Sequence, residues 1–164
     1  MTDLTIDIGI DEADQPGPDA RPRPLHLSPP TSAPSTTHTD AVKILLDRYS
    51  LTDPATGNAA GVFTNPDLQS LYTTLVDQGS GSQGAALTVG ATIEDLDIAD
   101  LQSLTTTTPD ISLVYTNLEK GSRNHLRAFT KQLTNSGATY TPAHLTQAAY
   151  DAILAGAVER GPAG

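Results

Sequence analysis

Three polar side chains stand at positions where the helical periodicity of the sequence predicts core residues: His38, Glu94 and His125. Asp97 follows Glu94 by about one helical turn and adds a second carboxylate at the edge of the same face. Burial of a carboxylate in a helical protein is costly unless the group is paired or binds metal. Carboxylates and imidazoles that project inward from facing helices are the ligands of dinuclear iron and manganese sites. These four residues therefore form a predicted iron or manganese site.

The relative heights of Glu94 and His125 follow from folding two long predicted helices against each other. With the turn centred near residue 107, the two residues are offset by about five positions, or roughly 7.5 Å at 1.5 Å per residue. We therefore expect them to lie within about two helical turns of each other. The same arithmetic does not reach His38, because a long loop follows its helix.

A structural role for the same side chains is the alternative. His125 can be a core histidine that donates to a backbone carbonyl or to Glu94. Glu94 can form an ion pair with Arg123, Arg127 or His125, and His38 can be exposed near the start of its helix. Three candidate ligands without further partners fall short of a usual metal coordination shell, which favours this alternative.

The complete dinuclear pattern contains a Glu three residues before each of two histidines. Here Ser35 precedes His38 and Ser122 precedes His125 at that spacing. Serine does not replace a bridging carboxylate, so the predicted site is incomplete as a dinuclear centre. No residue is assigned a catalytic role.

The elements that position these residues are predicted to be helices, because apolar residues recur at steps of three and four. Asn65-Pro66 and Thr108-Pro109 are typical of helix starts, and Gly79 and Asn135 stand at helix ends. The predicted helices cover about 36–50, a short segment after Pro66, 82–104, 109–133 and a short segment after Thr146. The sequence predicts an all-α, antiparallel helical bundle with no strand after residue 35.

Two details of the long helices are explicit predictions. The run of acids from Glu94 to Asp100 is interpreted as a mostly solvated face. The inward face of the second long helix is predicted to consist of Ile111, Tyr115, Leu118, Ser122, His125, Phe129 and Gln132.

The first 35 residues differ in composition from the rest. Residues 1–20 contain six acids and no base, and residues 16–34 contain seven prolines. Proline removes a backbone donor and disfavours helix in the residue before it. The predicted organisation is a disordered tail over 1–35, a helical domain over 36–155 and a disordered C-terminal tail over 156–164.

Composition narrows the function classes. The 164 residues include 19 acids, nine bases and no cysteine, for a formal charge of −10. Such acidity argues against nucleic-acid binding, which needs clustered Lys and Arg. The lack of cysteine excludes disulfides and thiol chemistry. No apolar run reaches the length of a membrane span, and no secretory signal is visible, so a cytoplasmic location is expected.

Several segments, in order, resemble one family. They are HTDAVK (38–43), GVFTNP (61–66), VGATIEDLDI (89–98), NLEKGSRNHLRAF (117–129) and the ending from YTP (140–142) to YDAIL (150–154). Over about 36–155 the chain resembles an uncharacterised ferritin-like family of bacteria and archaea, family 2202 of the domains of unknown function. The resemblance implies a four-helix ferritin-like bundle with a dinuclear metal centre, in which His38, Glu94 and His125 match the ligands. Ser122 matches the Gly-Ser-x-x-His arrangement usual in that family.

The chain also departs from that family. The family's first, Glu-rich helix is replaced by the Pro-rich segment, and its second helix has Glu where Ser35 stands here. The resemblance therefore implies a truncated bundle whose missing helix leaves an apolar groove, and a second copy of the chain is the expected occupant.

Three hypotheses about function remain open at this point. The first is a degenerate iron or manganese site. The second is a non-catalytic helical scaffold or interaction module that has lost its metal. The third is a decayed or mis-started reading frame.

Overall fold

The structure is a computed structural model that describes residues 36–161, with only the helical backbone described for 36–38. The tail predicted over 1–35 and the last three residues of the tail predicted over 156–164 lie outside the described residues. Between residues 36 and 161 the chain forms helices and no strand, which confirms the all-α prediction. The helices are α1 (Thr36–Arg48), α2 (Pro66–Gly79), α3 (Gln83–Ser103), α4 (Pro109–Asn135) and α5 (Gln147–Ala155).

The helices begin where the sequence carries capping residues. The Asn65 side chain accepts from the backbone N–H groups of the first turn of α2, and Pro66 opens that helix. Ser82 and Thr146 cap α3 and α5 in the same way, each with one side-chain bond. Thr108 precedes α4 without a side-chain bond, so Pro109 is the local start signal there. The predicted boundaries of the two long helices are confirmed. The sequence could predict them because the residues that signal a helix start lie at the start itself.

The core lies between α3 and α4, which form an antiparallel hairpin. Its buried residues are Leu87, Ala91 and Ile98 of α3, Leu126 and Leu133 of α4, Leu145 and, from α5, Tyr150 and Ile153. A second cluster joins α2 to the other side of α3 through Leu75, Val89 and Ile93. The α3–α4 hairpin is therefore the rigid frame on which the other helices pack.

Close packing of α3 on α4 depends on Gly90. This glycine is buried, and a Cβ atom at its position would lie 2.6 Å from ring atoms of Phe129. Such a distance is far below van der Waals contact, so only glycine lets the Phe129 ring lie on the backbone of α3.

In the C-terminal half of α4 the predicted inward face is wrong at His125, whereas Phe129 packs against the core as predicted. The buried residues there are Ser122, Leu126, Thr130 and Leu133, whereas the His125 side chain is 47% exposed. Thr130 is accommodated because its hydroxyl donates to the carbonyl of Leu126 at 2.7 Å. The buried face of α4 therefore contains Leu126 rather than its neighbour His125, and His125 lies at the edge of the α3–α4 hairpin.

Helix α1 packs on α4 alone among the helices described, and α2 packs on α3. The C-terminal end of α1 is held by polar contacts: the Tyr49 hydroxyl donates to Asp110 at 2.9 Å, and Arg48 forms an ion pair with Asp110 at 2.9 Å. None of residues 39–48 is buried, and the Ile44 side chain is 64% exposed. Helix α1 is thus a peripheral element.

None of the helices within residues 36–161 combines the length and the apolar character that a bilayer span requires.

Candidate metal centre

The structure brings Glu94 and His125 into direct contact. Nδ1 of His125, on α4, lies 3.2 Å from Oε1 of Glu94, on α3. The Glu94 side chain is 14% exposed and that of His125 is 47% exposed, so the pair lies at the edge of the core with the imidazole facing solvent. The short turn between the two long helices sets this register.

The electrostatic field at the pair favours a protonated imidazole. The hydrogen bond to Glu94 raises the pKa of His125 above its ordinary value, and the charges of Glu94 and Asp97 act in the same direction. Partial burial opposes the shift. These directions favour an imidazolium beside the Glu94 carboxylate, and a metal ion would have to compete with the ring proton.

Two of the predicted ligands are less closely defined. Asp97 is half-buried one turn along α3 and acts on His125 through its charge. His38 lies in the first turn of α1, and its side chain is outside the description. Within the described part of the chain, no group of three or more His, Asp or Glu is arranged to hold a metal ion. The participation of Asp97 and His38 stays a prediction.

The arginines that were candidate partners of Glu94 bind Glu159 instead. Arg123 contacts both carboxylate oxygens, with Nε at 2.8 Å and Nη2 at 2.6 Å, and Nη2 of Arg127 lies 3.1 Å from one of them. Hydrogen bonding to Arg123, with Arg127 in support, lowers the pKa of Glu159 to about 2. Within the motif RNHLR (123–127), His125 is therefore the residue that turns toward Glu94.

Sequence reasoning missed Asp95, whose side chain is 0% exposed. It accepts from the Tyr140 hydroxyl at 2.9 Å and from three backbone N–H groups, those of Ala143, His144 and Leu145, at 2.6 to 2.9 Å. The interpretation of the acidic run as a solvated face is therefore wrong at this position. The sequence does contain a signal for the burial of Asp95. This residue follows Ala91 by four positions and precedes Ile98 by three, so it lies on the face of α3 that contains these two buried residues.

The hydrogen bonds of Asp95 tie the connection between α4 and α5 to α3. Burial raises the pKa of the Tyr140 phenol to about 12, so the hydroxyl remains a donor to the carboxylate. The four groups that donate to the Asp95 carboxylate all belong to residues 140–145, which makes Asp95 a structural anchor.

The fold and the site define a helical protein with a carboxylate–imidazole pair between its two longest helices. The chain belongs to the family described as an uncharacterised protein domain, DUF2202, which matches residues 28–157. This finding confirms the family resemblance at the level of the uncharacterised domain.

An archaeal protein is similar to this chain. The uncharacterised protein MJ0754 of Methanocaldococcus jannaschii is 50% identical over 127 residues, which cover 76% of this chain and 69% of that protein. The crystal structure of the hypothetical protein MJ0754 matches with a TM-score of 0.73 at 50% identity, over 75% of this chain and 71% of that one. The helical fold described above is therefore similar to one observed experimentally.

Proposed function

We propose that this protein binds iron or manganese in a ferritin-like helical bundle, with Glu94 and His125 as the central ligands. The observation that carries the proposal is the 3.2 Å contact between Glu94 Oε1 and His125 Nδ1 across α3 and α4. A carboxylate oxygen and an imidazole nitrogen on facing helices are suitable donors for either metal. The donors are already adjacent, so little rearrangement is needed for both to reach one ion.

Two donors do not complete a metal site, so the proposal requires further ligands. Asp97 is the nearest candidate by sequence, since it lies one turn from Glu94 and its charge acts on His125. Water and His38 are the remaining candidates. A metal bound there would supply Lewis-acid or redox chemistry, while Glu94 and His125 would hold and orient it.

The anchor of α1 supports the inclusion of His38. Tyr49 contacts Asp110 at the start of α4. Along the axis of α4, His125 lies about 22 Å beyond Asp110, and the two residues differ in direction around that axis by about 60°. Along the axis of α1, His38 lies about 16 Å before Tyr49. If α1 runs antiparallel to α4 from this anchor, residue 38 comes within about 6 Å of the level of His125.

We also propose that a second copy of the chain covers a groove between α1 and α2. This part rests on the packing of α1 on α4 and of α2 on α3, with no contact between α1 and α2 among the described residues. Light scattering at micromolar concentration tests it: a dimer is expected, and a monomer without dye-binding apolar surface contradicts it.

Metal content tests the central proposal. Protein purified without chelator and reconstituted anaerobically with Fe(II) or Mn(II) is expected to retain about one or two ions per chain by mass spectrometry. Glu94→Gln should abolish binding because it removes the charged donor. Asp100→Asn is the matched control, since Asp100 is an exposed carboxylate on the same helix. His38→Asn then tests whether α1 donates a ligand.

A non-catalytic scaffold is the second candidate function. It is favoured by the mutual pairing of Glu94 and His125 and by the lack of a three-residue metal-binding group among residues 36–161 as described. Wild-type protein without bound metal after reconstitution, or equal metal loss in Glu94→Gln and Asp100→Asn, would support this scaffold and contradict the metal proposal.

A further inference from the structure

The chain that follows α5 lies along one side of α4. We name residues 157–161 the C-terminal strap, and we name Lys120, Arg123, Asn124 and Arg127 the basic face of α4. The strap forms no helix, yet each member of the basic face donates to it or to the residues just before it. The basic face is separate from the side of α4 that carries His125 toward α3.

The acidic side chain of the strap is held in a fork. Arg123 places two N–H groups on the two oxygens of Glu159, and Arg127 adds a third contact. Such two-point binding by a planar guanidinium selects a carboxylate over a neutral amide. Glu119 occupies the remaining side of the Arg123 guanidinium at 2.7 Å, which orients the fork.

The backbone of the strap is held independently of its side chains. The Asn124 amide donates to the carbonyl of Glu159 at 2.9 Å, and the N–H of Glu159 donates to the Asn124 side-chain oxygen at 2.9 Å. Lys120 donates to the carbonyl of Gly161. A side-chain amide that bonds both backbone groups of one residue imitates the pairing of a neighbouring β-strand.

The strap is attached almost entirely by polar contacts. The Val158 side chain is 64% exposed, and Ala157 and Arg160 are also exposed. The side chains of Arg123 and Glu159 are 21% and 30% exposed, so water and salt reach the fork. Release of the strap therefore exposes little new apolar surface, which makes the attachment reversible.

We infer that the basic face of α4 is a peptide-binding site for an extended segment that carries a glutamate, and that the strap is its resident ligand. Covalent attachment gives the strap an effective concentration in the millimolar range, so it outcompetes a dilute external peptide. When the strap is weakened, the same segment supplied from outside takes its place.

The test uses the full chain and a fluorescently labelled, N-acetylated peptide of the sequence AGAVERGPAG, which is residues 155–164. Glu159→Pro in the protein removes both the carboxylate and the N–H that bind the basic face, and it therefore weakens the attachment of the strap. Fluorescence anisotropy should show that the peptide binds this variant at least tenfold more tightly than the wild-type chain. Circular dichroism verifies that the variant is folded, and Glu159→Gln is the milder replacement if it is not.

Two controls decide the chemistry of recognition. A peptide with glutamine in place of its glutamate should bind at least tenfold more weakly, and Arg123→Gln added to the Glu159→Pro protein should weaken binding of the original peptide to the same degree. Binding should also weaken as the salt concentration is raised from about 50 to about 500 mM, because salt screens the attraction between the guanidinium groups and the carboxylate. Lack of binding at millimolar peptide, or equal affinity for the glutamine peptide, would overturn the inference.

Discussion

The contact between Glu94 and His125 is compatible with two roles. A carboxylate beside an imidazole can bind a metal ion through both groups, and without metal it is an ion pair that needs no further partner. The 14% exposure of Glu94 makes this distinction consequential, because a largely buried carboxylate needs a partner of one kind or the other.

At this scale, Glu94→Gln is expected to lower the pKa of His125 toward its ordinary value in metal-free protein, because the hydrogen bond to the charged carboxylate is the main cause of the raised pKa. An NMR titration of the ring protons measures it. Asp97→Asn should give a smaller decrease, since the charge of Asp97 contributes less to the raised pKa than the hydrogen bond to Glu94 does.

The sign of the pH dependence follows from the raised pKa. The pair stabilises the fold fully below the pKa of an unfolded-state histidine, about 6.5, and this contribution is lost as pH rises through the folded-state pKa. The difference in melting temperature between wild type and Glu94→Gln should therefore shrink with rising pH. An identical His125 pKa in both proteins would show that Glu94 does not control its charge.

Among the elements, the connection between α4 and α5 depends on a residue of neither helix. Asp95 of α3 accepts four hydrogen bonds from residues 140–145 and thereby holds the start of α5 against the hairpin. The adjacent aromatic contact, with the Tyr140 and Tyr150 rings 5.9 Å apart, depends on the same placement.

Asp95→Asn is expected to lower the free energy of unfolding by about 3 kcal/mol, because an amide replaces one acceptor with a donor and leaves buried N–H groups unpaired. Denaturant unfolding measures the change. Asp100→Asn, at an exposed position of the same helix, should change stability by less than about 0.5 kcal/mol. Equal effects of the two substitutions would contradict the anchoring role.

Across the whole molecule, stability is expected to be uneven. The α3–α4 hairpin contains the fully buried residues Ile98, Leu126 and Leu133, whereas none of the described side chains of α1 is buried. Helix α1 is held at its end by Tyr49 and Arg48, whose contacts with Asp110 are exposed to solvent.

Hydrogen exchange tests this unevenness. Backbone amides of residues 40–48 should exchange at least about 100-fold faster than those around Ile98, because little apolar surface opposes local opening of α1. Tyr49→Phe should increase exchange in α1 and leave α3 unchanged. Protection of α1 equal to that of α3 would show that the helix is an integral part of the core.

The sequence was a good guide to the helices and an incomplete guide to their faces. Caps such as Asn65-Pro66, Ser82 and Thr146 lie next to the backbone groups they satisfy, so the starts of α2, α3 and α5 are legible locally. The face of α4 was misassigned because a 3.6-residue period leaves two adjacent rows with similar composition, and His125 belongs to the row beside the core.

The sequence by itself determined the all-α class, the helix boundaries, the family and the proximity of Glu94 to His125, because each depends on short-range patterns or on counting from one turn. Only the tertiary structure decided that Asp95 is the fully buried carboxylate, that Arg123 and Arg127 bind Glu159, and that His125 faces solvent. Those outcomes depend on which partners arrive from residues 31 to 50 positions away. A helical repeat specifies the direction in which a side chain points from the helix axis, but it does not specify which residue of another segment lies opposite that side chain.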